Sequence, residues 1–307
     1  MMFTRKNRFM KTLIAGVMVL SLLAMGGFGC GAPDVDDDPV KLSYQTWTEA
    51  MIVGEMFHIM LTEHTDIPIE VVELESFAIQ WEAITNDEID LMGTYTSTGY
   101  MTVLGDTGLR DPEEVYDYVK EELKDQYDIV VLDRIGFYNN YDLAVRPEIA
   151  EEYGLETYSD LAEVAGELTI AADVNFLDRE DTYPLLQEMY GMEFGDIKTV
   201  GVTLKYPTIA EGEADVINNY TTDAQIQELG LVVLEDDLNA FPPYDKVSFA
   251  RAEVLDMYPE IEEVMGRLAG MIDTDEMVAM NYAVEIEEKQ PADVARDFLI
   301  EKGLIDG

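Results

Sequence analysis

Cysteine occurs once in 307 residues, at Cys30. A single thiol excludes an internal disulfide and every zinc site built on cysteine pairs. Histidine occurs twice, at His58 and His64, and a spacing of six keeps the two off a shared helical face, where neighbours stand three or four apart. Both read as surface or boundary residues. There is no glycine-rich phosphate loop and no nucleophile elbow. Positive charge is scarce as well: 19 lysines and arginines face 64 aspartates and glutamates, for a formal net charge of -45. A surface of that sign repels phosphodiester backbones and anionic lipid, which removes nucleic acid as a partner. Acidic pairs such as Asp236-Asp237 are too common in such a chain to mark a catalytic dyad. These absences argue against an enzyme and against any cofactor or metal requirement.

What is present begins at the amino terminus. Arg5, Lys6, Arg8 and Lys11 form a basic cluster, and an apolar run from Leu13 to Phe28 follows, ending among Gly26, Gly27 and Gly29. That layout is a secretory signal over residues 1–29. The alternative is an uncleaved membrane anchor, since the run approaches spanning length. Three glycines, however, make a poor helix end and a good cleavage site. Cys30 comes next, where a lipoprotein carries its acylated first residue. Acyl chains contribute about 0.8 kcal/mol per buried methylene, so several would hold the chain on the outer face of a membrane. Residues 30–39 are acidic, contain proline and read as a lipidated tether.

The signal holds four of the 19 basic residues and no acidic one, so the remainder carries 15 against 64. Charge of that density often means disorder, but 48% hydrophobic residues argue for a packed core. Salt reconciles the two. At about 1 M the Debye length falls to roughly 3 Å, and repulsion among surface carboxylates is largely screened. The composition predicts a halophile's protein.

From Val40 onward, strand-like and helix-like segments alternate. Strands are expected over Val40–Tyr44, Ile67–Leu74, Ile89–Met92 and Ile129–Leu132, with helices over Glu49–Leu61, Phe77–Ile84 and Asp111–Leu123. After about residue 140 the pattern restarts, with strands over Leu168–Ala172, Val200–Leu204, Val216–Asn218 and Leu231–Leu234. The stretch Pro259–Leu304 is nearly all helical. Alternation of this kind implies an α/β fold with mainly parallel sheets flanked by helices. About 270 residues suit two lobes better than one core. The expected division places residues 40–139 and 243–307 in lobe 1 and residues 140–242 in lobe 2. A two-lobed clamshell binds at strand carboxyl ends and at the domain interface.

Five ordered segments carry a family resemblance. They are Phe176-Leu177-Asp178-Arg179-Glu180-Asp181-Thr182-Tyr183-Pro184; Thr94-Tyr95-Thr96-Ser97-Thr98-Gly99; Gly136-Phe137 with Tyr141 and Leu143-Ala144-Val145-Arg146; Asp215 to Asp223 around Tyr220; and Leu234-Glu235-Asp236-Asp237 with Phe241-Pro242-Pro243-Tyr244. Together they resemble the substrate-binding proteins of glycine betaine/carnitine/choline ABC transporters, which take up osmoprotectants and have the type II periplasmic-binding-protein fold. The resemblance implies a ligand site between the lobes, with an aromatic cage of Tyr95, Tyr141, Tyr220 and Tyr244. It also implies Arg179, Gln45 and Thr98 at a polar, carboxylate-binding end. A quaternary ammonium has no N–H to donate, whereas aromatic faces attract a diffuse cation, worth about 2 kcal/mol when desolvated. Among 17 tyrosines these four stand apart, each at an expected strand end or turn.

The chain departs from the family pattern at three places. Gln45 stands where many members have lysine, Thr94 where an acidic residue is common, and Ser97 where a turn glycine is expected. The first weakens the preference for a carboxylate, and the third bears on the loop geometry. Expected partners are the ligand, a membrane permease with its cytoplasmic ATPase and, through the lipid anchor, the membrane; the protein is expected to be a monomer. Two further readings stay open. One is a receptor for an amino acid or polyamine, which a cage without acidic lining would serve poorly. The other is an extracellular hydrolase of choline esters, for which no nucleophile–base pair is visible.

Overall fold

The computed structural model describes residues 38–179, 182–201 and 204–307. The expected signal, Cys30 and most of the tether lie outside them. The first sheet is built from short strands that carry the apolar runs: β1 (Val40–Gln45), β2 (Ile69–Leu74), β3 (Leu91–Tyr95) and β4 (Ile129–Val131). The second holds β5 (Tyr141–Val145), β6 (Thr169–Ala172), β7 (Asp196–Thr199), β8 (Val216–Tyr220) and β9 (Val232–Val233). The chain then returns to the first sheet as β10 (Lys246–Arg251).

The strand orders are β2-β1-β3-β10-β4 and β7-β6-β8-β5-β9. In the first, β1 runs parallel to β2 and β3, and β10 is antiparallel to both β3 and β4. In the second, β6 runs parallel to β7 and β8, and β5 is antiparallel to β8 and β9. Each sheet is therefore mixed, with one reversed strand in the fourth place. Those two strands are the ones that arrive from the other sheet. The two passages between sheets lie side by side: Asn139 N–H donates to the Tyr244 carbonyl at 3.0 Å, and Tyr244 N–H donates to the Asn140 side-chain oxygen at 2.9 Å.

Packing explains the helices. In α1 (Thr48–His64), Ile52, Met56, Met60 and Leu61 are all buried, because one side meets the sheet and the other meets the carboxy-terminal helices. Those helices, Glu260–Gly266, Thr274–Glu285 and Pro291–Glu301, belong to the core of the first sheet. The second sheet has its own core of Leu143, Val145, Ile170, Phe176 and Leu186. Acidic residues serve as caps: Asp111 accepts from two backbone N–H groups of the helix Pro112–Tyr127, and Asp273 forms a reciprocal capping box with Glu276. Cations are stretched thin, and Arg251 alone meets Asp87, Asp90 and Glu253 within 3.0 Å.

One expected strand is displaced. Of the expected strand Val200–Leu204, the described residues Val200, Gly201 and Leu204 lie outside any strand; β7 precedes them, at Asp196–Thr199. As the edge of its sheet β7 is mostly exposed and polar, so it carries no hydrophobic signal, while Val200 just beyond it packs against a core and drew the assignment. Among the described residues no helix is long and apolar enough to cross a membrane.

Candidate functional site

Register places the aromatic residues. Tyr141, the first residue of β5, pairs directly with Tyr220, the last residue of β8, and their ring centroids lie 5.0 Å apart. Side chains opposite one another on adjacent strands share a face, so this contact follows from the pairing. Tyr95 ends β3, and Tyr244 stands two residues before β10, which pairs with β3. Tyr244 bridges the two sheets, with its centroid 6.5 Å from Tyr141 and 6.4 Å from Tyr95, both edge-on. Trp47, stacked on Tyr95 at 6.2 Å, extends the row. All five rings line one cleft of about 1200 Å³.

The polar wall is built around Glu49. This carboxylate is 1% exposed and accepts hydrogen bonds from the Tyr95 hydroxyl, the Thr222 hydroxyl at 2.6 Å and the Asn139 amide at 3.3 Å. Burial pushes its pKa up, against the pull of the nearby Lys246 charge. The Tyr95 phenol is raised well above its usual value by burial and by Glu49, and that of Tyr220 by burial and Tyr141, so both rings stay neutral. An acidic residue therefore does line the cleft, contrary to the sequence expectation, although its oxygens are already taken.

The predicted polar residues divide. Thr98 opens a π-helical turn, Thr98–Val103, and lines the cleft. Arg179 lines it too, its guanidinium carbon 5.9 Å from the Tyr141 centroid. Gln45 is not among the lining residues. Its side-chain oxygen accepts from the Trp47 indole N–H at 2.9 Å and its amide donates to Gln80 at 3.0 Å, so it stands behind Trp47 and orients that ring. Ser97 needs no glycine, since its φ is -66°; its hydroxyl and that of Thr96 both donate to the Pro243 carbonyl, pinning the segment that carries Tyr244.

Sequence reasoning missed two cations. Lys246 pairs with Tyr95 across the sheet, and its Nζ lies 4.3 Å from the Tyr95 centroid and 5.6 Å from that of Trp47. Burial lowers its pKa to about 8, with Glu49 opposing the shift. Lys205 begins the helix Lys205–Ala210 and lines the cleft, its Nζ 5.1 Å from the Tyr220 centroid. No motif marked either; for Lys205 the only hint was the neighbouring Tyr206 in a chain short of cations. The histidines lie elsewhere, His58 beside Glu55 at 3.5 Å and His64 on the Leu304 carbonyl at 2.7 Å.

Comparison with known proteins places this geometry. The model of the substrate-binding domain of ABC-type glycine betaine transport systems matches residues 38–301. The chain belongs to this family. A carnitine transport binding protein of Listeria monocytogenes is 31% identical over 302 residues, covering 97% of each chain. The ergothioneine transport permease/ergothioneine binding protein of Helicobacter pylori is 30% identical over 276 residues, covering 88% of this chain and 49% of that one. A solved glycine betaine/carnitine/choline ABC transporter structure superposes with a TM-score of 0.81 at 31% identity, covering 87% of this chain and 100% of that one. Two mixed sheets flanked by helices thus form the type II periplasmic-binding-protein clamshell. The family is one of solute-binding proteins of ABC transporters.

Proposed function

We propose that this chain captures a small quaternary-ammonium osmoprotectant, of the glycine betaine or carnitine type, and presents it to an ABC permease driven by a cytoplasmic ATPase. The observation that carries the reading is the convergence of Tyr95, Tyr141, Tyr220 and Tyr244 on one cleft, with Trp47 beside them. Trimethylammonium has no N–H, so its grip must come from ring faces, and rings from both sheets supply them. Thr98 and Arg179 serve the polar end of the ligand, Arg179 through charge-assisted hydrogen bonds to a carboxylate.

The two halves, residues 40–139 with 243–307 and residues 140–242, close on the solute as a hinge. A ligand that touches both halves binds the closed form better and shifts the population toward it. Bonds across the cleft, Thr222 to Glu49 and Asn281 to the Thr222 carbonyl at 2.9 Å, support a closed form of this kind. The protein works as a monomer outside the cytoplasmic membrane, held by acylated Cys30 after removal of residues 1–29, in a salt-rich setting.

Glu49 favours one competing reading, a receptor for a primary ammonium such as lysine or putrescine, because a carboxylate stands in the wall. Titration calorimetry of the mature domain in molar salt separates the two. The cage binds glycine betaine, carnitine or choline and leaves lysine and putrescine unbound; the reverse order of affinities would discard it.

A further inference from the structure

The Lys205 ammonium is buried without a hydrogen-bond partner. Its side chain is 1% exposed, yet it lines the cleft. Its nearest carboxylate oxygen among the described residues, Asp223 Oδ2, lies 3.8 Å away and already accepts from the Tyr206 hydroxyl and, at 2.9 Å, from the Tyr220 N–H. Asp173, which also acts on the lysine electrostatically, is filled by the N–H groups of Asn175 and Phe176 and by the Asn218 amide. An ammonium has three donors, and leaving them unmet in a buried place opposes folding. A buried unsatisfied group calls for an explanation. Here it lines the cleft that holds the aromatic row.

We propose that Lys205 is an anion anchor of the cleft and sets its preference for zwitterions that carry a carboxylate over simple cations. The inference rests on the quaternary-ammonium reading of the cage and names the second half of the ligand. Lys205 Nζ stands 5.1 Å from the centroid of Tyr220 and 5.3 Å from that of Tyr206. An onium group held against Tyr141 and Tyr220 therefore lies within a short chain of the ammonium. A carboxylate on that chain accepts its free N–H groups and neutralises it. A molecule with only a positive charge meets instead a like charge beside the cage, offset in part by Asp223 and Asp173, with Arg179 flanking Tyr141. Arg179 thus stands by Tyr141 and Lys205 by Tyr220, one cation for each ring of the pair.

The test is titration calorimetry with glycine betaine and with choline on the wild type, Lys205→Met and Lys205→Arg. Methionine fills the volume without charge, and arginine restores it. Lys205→Met should weaken glycine betaine at least tenfold, leave choline unchanged or tighter, and leave the unliganded unfolding midpoint no lower than in the wild type. Lys205→Arg should recover most of the betaine affinity. An equal loss for both ligands, or no loss for betaine, would overturn the anchor. Wild-type protein that binds neither ligand would instead remove the quaternary-ammonium reading on which the anchor rests.

Discussion

The Glu49 carboxylate accepts the Thr222 hydroxyl at 2.6 Å, tying the first turn of α1 to the loop that follows β8. One buried charge thereby joins the two sheets, fixes the Tyr95 hydroxyl and faces Lys246. Removing one partner of a buried pair typically costs about 3–5 kcal/mol, because the other charge is left uncompensated. Glu49→Ala should lower stability on that scale by denaturant unfolding and weaken every quaternary ligand. Glu49→Gln, which keeps an acceptor, should lose less.

Lys246 occupies the face of Tyr95 as a cation until it loses its proton, which burial brings down to about pH 8. Its folded pKa lies below the unfolded value of about 10.5. The buried charge therefore destabilises the fold fully below pH 8, and stability recovers as pH rises from 8 toward 10.5. Affinity for choline should rise between pH 7 and 9 in the wild type and lose that rise in Lys246→Met. Calorimetry at three pH values measures it.

Asp142 sits in the second sheet with its carboxylate held by the Tyr158 hydroxyl at 2.6 Å and the Leu143 N–H at 2.9 Å. Burial pushes its pKa up from 3.8 to about 7. A raised folded value means that its favourable neutral form is present in full below about pH 4 and is lost as pH rises through 7. Asp142→Asn keeps the acceptor for Tyr158 and should be more stable than the wild type at pH 8, the difference shrinking toward pH 4.

With 64 acidic residues against 19 basic ones, the fold works against its own surface field. Raising salt from about 0.1 M to 1 M shortens the Debye length from roughly 10 Å to 3 Å. The thermal midpoint should climb through that range. A flat response would remove the salt-rich setting from the proposal.

The alternating pattern revealed most strands and helices, since β1, β3 and β8 carry apolar runs that are buried in place. It expected no strand at β5 or β10, and their reversal against neighbours far along the chain leaves no local trace. Tyr95, Tyr141, Tyr220 and Tyr244 were legible through motifs at strand ends. Lys205 and Lys246 were not, since a lysine reads as exposed until register presses it against a ring. The motif located Gln45 near the cleft, and the bond from the Trp47 indole shows which way its amide faces.

Binding by ring faces is tested most directly at Tyr220. Glycine betaine titrated into Tyr220→Ala and Tyr220→Phe in molar salt should show a loss of about 2 kcal/mol, roughly thirtyfold, for alanine and little change for phenylalanine, which keeps the π face. Equal affinity in all three proteins would contradict it.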